Sequence, residues 1–310
     1  MAIATGGILL VGTKPDTIGP ASGNTATLTS NNGSDLIVLA QTASSVLTVN
    51  YNIVNSSSGL NSNVIGLTKA GPGMLVLNGN NTYTGPTVIH AGTVRADNAT
   101  RSLGTNTTTV RGGTLAGVGQ TGGAVVVEKG GTISAGTGSK QTTGTGIATG
   151  DTVGRLSTGN QTWNGGGTYA IKFHDNSGVA GTSYDQLSMG TLNLSQLSST
   201  NKFNLVLTQA ANSTFTTPAI GTKFTIALAS GGTGYIAGSN ITDLFYLSSS
   251  DVGISDTSLF SVTVGSQGGS LMLSYGSDTQ SAPEPHTLLL SGMASSVLLV
   301  RRRNKVRPLN

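Results

Sequence analysis

Glycine recurs along this chain at nearly even intervals, each time opening the same kind of tripeptide. The copies are Gly73-Met74-Leu75, Gly92-Thr93-Val94, Gly113-Thr114-Leu115, Gly131-Thr132-Ile133, Gly167-Thr168-Tyr169 and Gly190-Thr191-Leu192. Their Gly-to-Gly spacings are 19, 21, 18, 36 and 23, the fourth being twice 18. A period of about twenty residues is the length of one solenoid rung, built from two or three short strands joined by tight turns. The glycine is expected to supply the positive φ that such turns require.

Between the glycines the apolar residues alternate. Leu75 and Leu77 flank Val76, and Val125 and Val127 flank Val126. Period two means strand with one face packed inward. Before the C-terminal tail no apolar stretch sustains a helical period. Gly-Gly, Asn-Gly, Gly-Asn and Ser-Gly separate strands of four to six residues, and these are turn dipeptides. Charged residues make up 9% of the chain, against about 25% in ordinary soluble domains. With 36% apolar residues in short regular runs, the chain can nonetheless bury a core. It has no Cys, so packing and backbone pairing must hold the fold without disulfides.

Longer strand candidates fill residues 156–279: Tyr169–Phe173, Phe203–Leu207, Lys223–Leu228, Leu259–Val264 and Leu271–Tyr275. Aromatic residues concentrate here, including the single Trp163. This part is read as a wider end of the solenoid or a β-rich cap, since an exposed terminal rung is an adhesive edge. The expected organisation is partial N-terminal strands over 1–60, solenoid over 61–155, C-terminal β region over 156–279 and a sorting tail over 280–310. Met1 to Val11 has no basic residue before its short apolar piece, unlike an export signal. The expectation is that residues 1–60 are the remains of a longer exported passenger.

Residues 66–95 carry Leu67-Thr68-Lys69, Gly71, Gly73, Leu75, Leu77, Gly79, Asn81-Thr82-Tyr83-Thr84-Gly85 and Ala91-Gly92-Thr93. This pattern resembles the autotransporter-associated β-strand repeat, also called the passenger-associated transport repeat. A weaker likeness continues through Tyr184–Leu187 and Gly190–Leu194. The resemblance implies an all-β fold, a right-handed parallel β-solenoid (β-helix), in a secreted or surface protein, often an adhesin. It marks architecture and secretion, with no chemistry attached. One full copy is present, and fewer than 30 residues follow Ala282, so a translocator barrel is not expected within the chain. From the residues themselves, Asn81 is expected to bond its own downstream backbone. Tyr83 is expected to cover the open end of a rung with its hydroxyl in water.

The basic balance is local. The net charge is +4, yet residues 1–282 hold 11 basic and 11 acidic groups. A neutral body offers no electrostatic footprint for nucleic acid. The excess sits in the tail: Pro283-Glu284-Pro285, an uncharged apolar stretch from Thr287 to Val300, then Arg301-Arg302-Arg303. An apolar stretch stopped by fixed positive charges reads as a short hydrophobic helix entering a membrane, basic end inside. Its length of about 21 Å falls short of a bilayer core of about 30 Å, a gap that arginine snorkelling and local thinning can cover. Proline pair, apolar block and arginine run together resemble the PEP-CTERM sorting signal of Gram-negative bacteria. That resemblance implies export, recognition by an exosortase-like processing enzyme, and delivery to the cell envelope, outer surface or exopolysaccharide matrix.

Sites for catalysis are sparse. His90, His174 and His286 are far apart and none forms a metal-spaced pair. His174-Asp175 beside Asp185 is one polar group that strands could gather for acid/base work or cation binding, although the favoured reading is a polar loop, Asp175-Asn176-Ser177-Gly178. A glycosidase needs two facing carboxylates. Asp97, Glu128 and Asp151 stand isolated among Gly and Thr. Gly136–Lys140 lacks phosphate-loop spacing. No catalytic residue, metal or cofactor is assigned. The leading expectation is a non-enzymatic adhesin-like or scaffold protein whose partners are extracellular polysaccharide or other surface copies. The alternative is a polysaccharide-active β-solenoid enzyme.

Overall fold

Strand pairing in this chain is almost entirely between one coil and the next. The computed structural model describes residues 2–19, 26–30, 35–56, 64–137, 152–249, 256–266 and 268–276. The sorting tail from 280, with Pro283, Glu284, Pro285 and Arg301 to Arg303, lies outside the described residues, as do Lys140 and Asp151.

The first coil holds β1 (Ala2–Ala4), β2 (Gly7–Leu10) and β3 (Asp16–Ile18). The second holds β4 (Thr27–Thr29), β5 (Leu36–Ala40) and β6 (Val46–Val49). The third holds β7 (Asn52–Ile53), β8 (Leu67–Ala70) and β9 (Met74–Leu77). Three tighter coils follow: β10 (Thr87–Ile89) with β11 (Thr93–Ala96), β12 (Thr108–Val110) with β13 (Thr114–Gly117), and β14 (Val125–Val127) with β15 (Thr132–Ala135). The next has β16 (Arg155–Ser157), β17 (Gln161–Trp163) and β18 (Thr168–Phe173). Then come β19 (Gln186–Asn193) with β20 (Phe203–Gln209), and β21 (Lys223–Thr233) with β22 (Phe245–Ser249). A hairpin of β23 (Phe260–Val264) and β24 (Ser270–Tyr275) ends the series.

These strands assemble into three sheets. A 3-stranded sheet runs β1-β4-β7. A 12-stranded sheet runs β2-β5-β8-β10-β12-β14-β17-β19-β21-β24-β23, with β16 beside β19. A 9-stranded sheet runs β22-β20-β18-β15-β13-β11-β9-β6-β3. Between named strands, every pairing is parallel except those of β24, which is antiparallel to β21 and β23. Parallel pairing that alternates between two long sheets is consistent with a parallel β-solenoid, in which each coil satisfies the backbone of its neighbours. Where the third wall has no named strand, single hydrogen bonds continue it: Thr82 N to Ile53 O at 2.8 Å, Asn81 N to Arg101 O at 3.0 Å, Ser102 N to Gln120 O at 2.6 Å and Thr121 N to Ser157 O at 2.9 Å.

The glycine repeat is the register of the 9-stranded sheet. Met74 pairs with Thr93, Thr93 with Thr114, Thr114 with Thr132, and Thr132 with Thr168. Those steps are 19, 21, 18 and 36 residues. Two corrections follow. The 36-residue step is one long coil with an insertion, because Thr132 and Thr168 pair directly. Gly190-Thr191-Leu192 belongs to the other long sheet, on β19, where Leu192 pairs with Gln161 and Thr191 with Gly231.

The physical reason for the glycine also differs from the expected one. Of the six repeat glycines, Gly92 alone has positive φ, at 68°. Gly73, Gly113 and Gly131 are excluded from carrying a side chain by the backbone of the preceding coil, whereas a Cβ on Gly167 would lie 2.7 Å from the Phe203 ring and one on Gly190 2.4 Å from the Asn160 side chain. A Cβ on Gly131 would lie 2.1 Å from the carbonyl oxygen of Val110, and one on Gly113 would lie 2.7 Å from that of Gly92. The same closeness makes a hydrogen-bonded corner: Thr114 N donates to Gly92 O at 2.8 Å, Thr132 N to Gly113 O at 2.9 Å, and Thr168 N to Gly131 O at 2.9 Å. Coils can stack at strand spacing only if no side chain stands in this corner.

The interior is a column of inward residues, one or two per strand per coil. Leu47, Leu75, Val94, Leu115, Ile133, Tyr169 and Leu205 are all buried and successive in register. Towards the C-terminal end the strands lengthen, to 8 residues in β19 and 11 in β21. The wider interior is filled by rings. Trp163 stacks on Phe203 with centroids 4.5 Å apart and an interplanar angle of 9°. Phe173, Phe215, Phe224 and Tyr184 form a second group, with Phe173 and Phe215 centroids 4.6 Å apart. Aromatic pairs in such geometry contribute beyond their buried area. Among the described residues no helix is long and apolar enough to cross a membrane.

Candidate functional site

The repeat segment places its signature residues in three positions. Leu67, Leu75 and Leu77 line the core. Gly71, Gly73, Gly79, Gly85 and Gly92 sit at corners against the preceding coil. There a Cβ on Gly79 would meet Tyr51 O at 2.2 Å, and one on Gly85 would meet Ile65 O at 2.3 Å. The remaining residues, Asn81 to Thr84, alternate strictly: Asn81 and Tyr83 are buried, Thr82 and Thr84 exposed.

Both expectations for this segment require correction. Asn81 is fully buried and bonds neighbouring coils in place of its own downstream backbone. Its Oδ1 accepts from Ile53 N at 2.7 Å and its Nδ2 donates to Ser102 O at 2.6 Å. One carboxamide thus links the coil before and the coil after. Tyr83 is also fully buried, and its hydroxyl meets Thr87 Oγ1 at 2.7 Å. Burial pushes the Tyr83 phenol up to about 12, against the opposing pull of its hydrogen bonds to Thr87 and Gly104. Both residues act as packing and capping groups inside the coil.

Lys69 is the polar surprise of the repeat. It is buried on β8, and its Nζ donates to Ala70 O at 2.7 Å, Gly71 O at 2.7 Å and Ala91 O at 3.2 Å. An ammonium can use three donors, and here carbonyls at the glycine corner accept them. Burial lowers its pKa to about 8. The sequence pattern included this lysine but gave no sign of its inward direction.

A second buried cation lies further along. Lys172 Nζ is 2.8 Å from Asp185 Oδ2, with side chains 3% and 0% exposed. Burial pushes the Asp185 carboxyl up to about 7, opposed by Lys172 and by hydrogen bonds from the backbone of Lys172 and Gly154. Asp175 lies in the expected polar loop, and the strands do not gather it with Asp185. Asp185 is buried against Lys172, whereas Asp175 accepts from Ser177 N at 2.7 Å in a surface loop, and hydrogen bonding from the Ser177 side chain and backbone lowers its pKa. His90 is exposed just past β10. Asp97 and Glu128 are not isolated: Arg95 Nε lies 2.6 Å from Asp97 Oδ2, and Arg111 Nε lies 3.1 Å from Glu128 Oε2. Among the described residues no three of His, Cys, Asp and Glu gather where they could hold a metal.

The outer face of the 12-stranded sheet presents an ordered column of side chains. Ile37, Thr68, Val88, Thr109, Val126, Thr162, Asn193 and Thr233 follow one another in direct register, one per coil. All are half-buried or exposed. The column carries no ionisable side chain, and its members recur at the strand spacing of about 4.8 Å. Sequence periodicity shows that these positions face outward, but their alignment into one column depends on coil register.

Comparison with known proteins places two likenesses on this geometry. Residues 67–96 match the family described as Passenger-associated-transport-repeat. A stretch of 92 residues, 28% of this chain, is 39% identical to the Adhesin BmaC autotransporter of Brucella suis biovar 1 (strain 1330). That stretch spans 3% of the adhesin's own length. The matched family segment begins at the first residue of β8 and ends at the last residue of β11, so the repeat unit is two successive strand pairs with the Asn81 bridge between them.

Proposed function

We propose that the chain is a non-enzymatic, adhesin-like surface or matrix protein of a Gram-negative bacterium. The observation that carries this reading is the repeat at residues 67–96, set within a stack of coils whose ordered outer column is uncharged. The adhesin relative supports a secreted, cell-surface setting. In this reading the coil is right-handed, as parallel strand crossovers nearly always are. The Thr and Asn hydroxyls and amides of the outer column bind neutral extracellular polysaccharide or the same face of other copies.

The tail supplies the address. An exosortase-like enzyme recognises Pro283-Glu284-Pro285, and Arg301 to Arg303 hold the apolar segment at the membrane before processing. The test is expression in the native host with and without Pro283-Glu284-Pro285, followed by cell fractionation and the mass of the C-terminus. The expected result is surface delivery and loss of the arginine tail in the intact protein alone. Equal fractionation with an intact tail in both strains contradicts the sorting role. Adhesion of cells displaying the protein to neutral polysaccharide, lost when Thr109 and Thr162 are changed to Lys, tests the binding face.

A further inference from the structure

The Lys172–Asp185 pair sits where chemistry between its two groups is favoured. Nζ and Oδ2 are 2.8 Å apart, and both side chains are withdrawn from water. Gly154 N donates to Asp185 Oδ1 at 2.9 Å, and Lys172 N donates to Oδ2 at 3.0 Å. Lys172 Nζ also meets Ser134 Oγ at 2.9 Å and donates to the Ala135 carbonyl. An amine and a carboxyl are therefore held together in a water-poor setting, with fixed donors on both carboxyl oxygens.

We propose that Lys172 and Asp185 condense into an intramolecular isopeptide bond that ties β18 covalently to the chain entering β19. The ammonium first passes one proton to Asp185 Oδ2, leaving a neutral amine and a neutral acid. The Nζ lone pair attacks Cγ, the new C–N bond forms, and negative charge moves to Oδ1, where the Gly154 N–H receives it. The extra proton on Nζ passes to Oδ2, which lies 2.8 Å away. The Cγ–Oδ2 bond breaks, one water leaves, and the carbonyl re-forms at Oδ1. The step consumes no oxidant and no other reagent. Two features favour it. Held contact replaces a bimolecular encounter, and condensation removes two charges from a site that solvates them poorly. The burial that raises the Asp185 pKa favours the neutral acid the step begins from.

The experiment is tryptic peptide mapping of the full-length, folded protein by mass spectrometry. An amide at Lys172 blocks cleavage there, so the expected product is one peptide, residues 156–202, lighter than its sequence by about 18 Da, the mass of one water. In Asp185→Ala the deficit disappears and cleavage after Lys172 returns. Wild-type protein that is cleaved after Lys172 and shows no mass deficit overturns the proposal. That outcome is read from the wild type, so it holds whether or not the variant folds.

Discussion

The side-chain oxygen of Asn81 accepts the backbone N–H of Ile53 at 2.7 Å, so a side chain does the work of a strand between two coils. Past β7 the third wall carries no strand among the described residues until β16. Asn81 adds side-chain pairing to the single backbone bonds that continue the wall there, and its amide extends the link to Ser102.

Replacing Asn81 with Ala leaves a buried N–H and a buried carbonyl without partners. Each such group costs about 1–3 kcal/mol, so Asn81→Ala is expected to destabilise by about 2–4 kcal/mol. Thr82→Ala, one residue along and exposed, is expected to stay within about 0.5 kcal/mol of the parent. Urea unfolding midpoints of the two variants check the contrast.

The corner glycines make a second prediction. A Cβ on Gly131 meets a carbonyl oxygen at 2.1 Å, whereas one on Gly231 meets nothing within 4 Å. Neither residue has positive φ, so the difference is steric closeness alone. Gly131→Ala is expected to cost more than about 2 kcal/mol, in the range of an overpacked core, and Gly231→Ala close to nothing. Thermal unfolding of both variants separates close packing from conformational freedom as the reason for the repeat.

Lys69 gives a pH dependence with a definite sign. Its pKa falls from 10.5 in the open chain to about 8 in the fold, through burial. Between those values the unfolded state binds more protons, so stability rises with pH across the window. The Lys69 contribution is fully present above 10.5 and is lost as pH falls through about 8. Denaturant midpoints measured from pH 7 to pH 11 are expected to show this rise in the parent and a flatter profile in Lys69→Met.

Trp163 is the only tryptophan, fully buried and stacked on Phe203. Native emission is expected to be blue-shifted and to move red on unfolding. Phe203→Ala removes the stacking partner and is expected to cost about 3–5 kcal/mol, with emission shifting red before global unfolding. Fluorescence-monitored unfolding reports both.

Much of the fold is legible in the residues because it is local. Five of the six Gly-X-apolar tripeptides mark the corner that opens a strand of the 9-stranded sheet, and the residue after the glycine is the one that stacks. The candidates at Phe203–Leu207 and Leu271–Tyr275 fall inside β20 and β24 for the same reason. The long coil between Thr132 and Thr168 escapes this reading, since an insertion that doubles a spacing looks like two coils. Asn81, Tyr83 and Lys69 escape it too. The Ile53 and Ser102 partners of Asn81 and the Ala91 partner of Lys69 lie in neighbouring coils, and Tyr83 is buried although its partner Thr87 is near in sequence, so nothing local indicates that these polar groups point inward. Lys172 and Asp185 meet across a loop that separates them in sequence, and the uncharged outer column exists only once register is fixed.

The central claim is parallel stacking of coils in the register seen at Val88 and Thr109. The chain has no native Cys, so paired cysteines report that register without interference. Directly opposed residues on adjacent strands have Cα atoms within the disulfide range of about 4.4–6.8 Å, and positions two residues further along fall outside it. Val88→Cys with Thr109→Cys is expected to oxidise readily, and Val88→Cys with Arg111→Cys to remain reduced. Disulfide formation in the second pair but not the first contradicts the account.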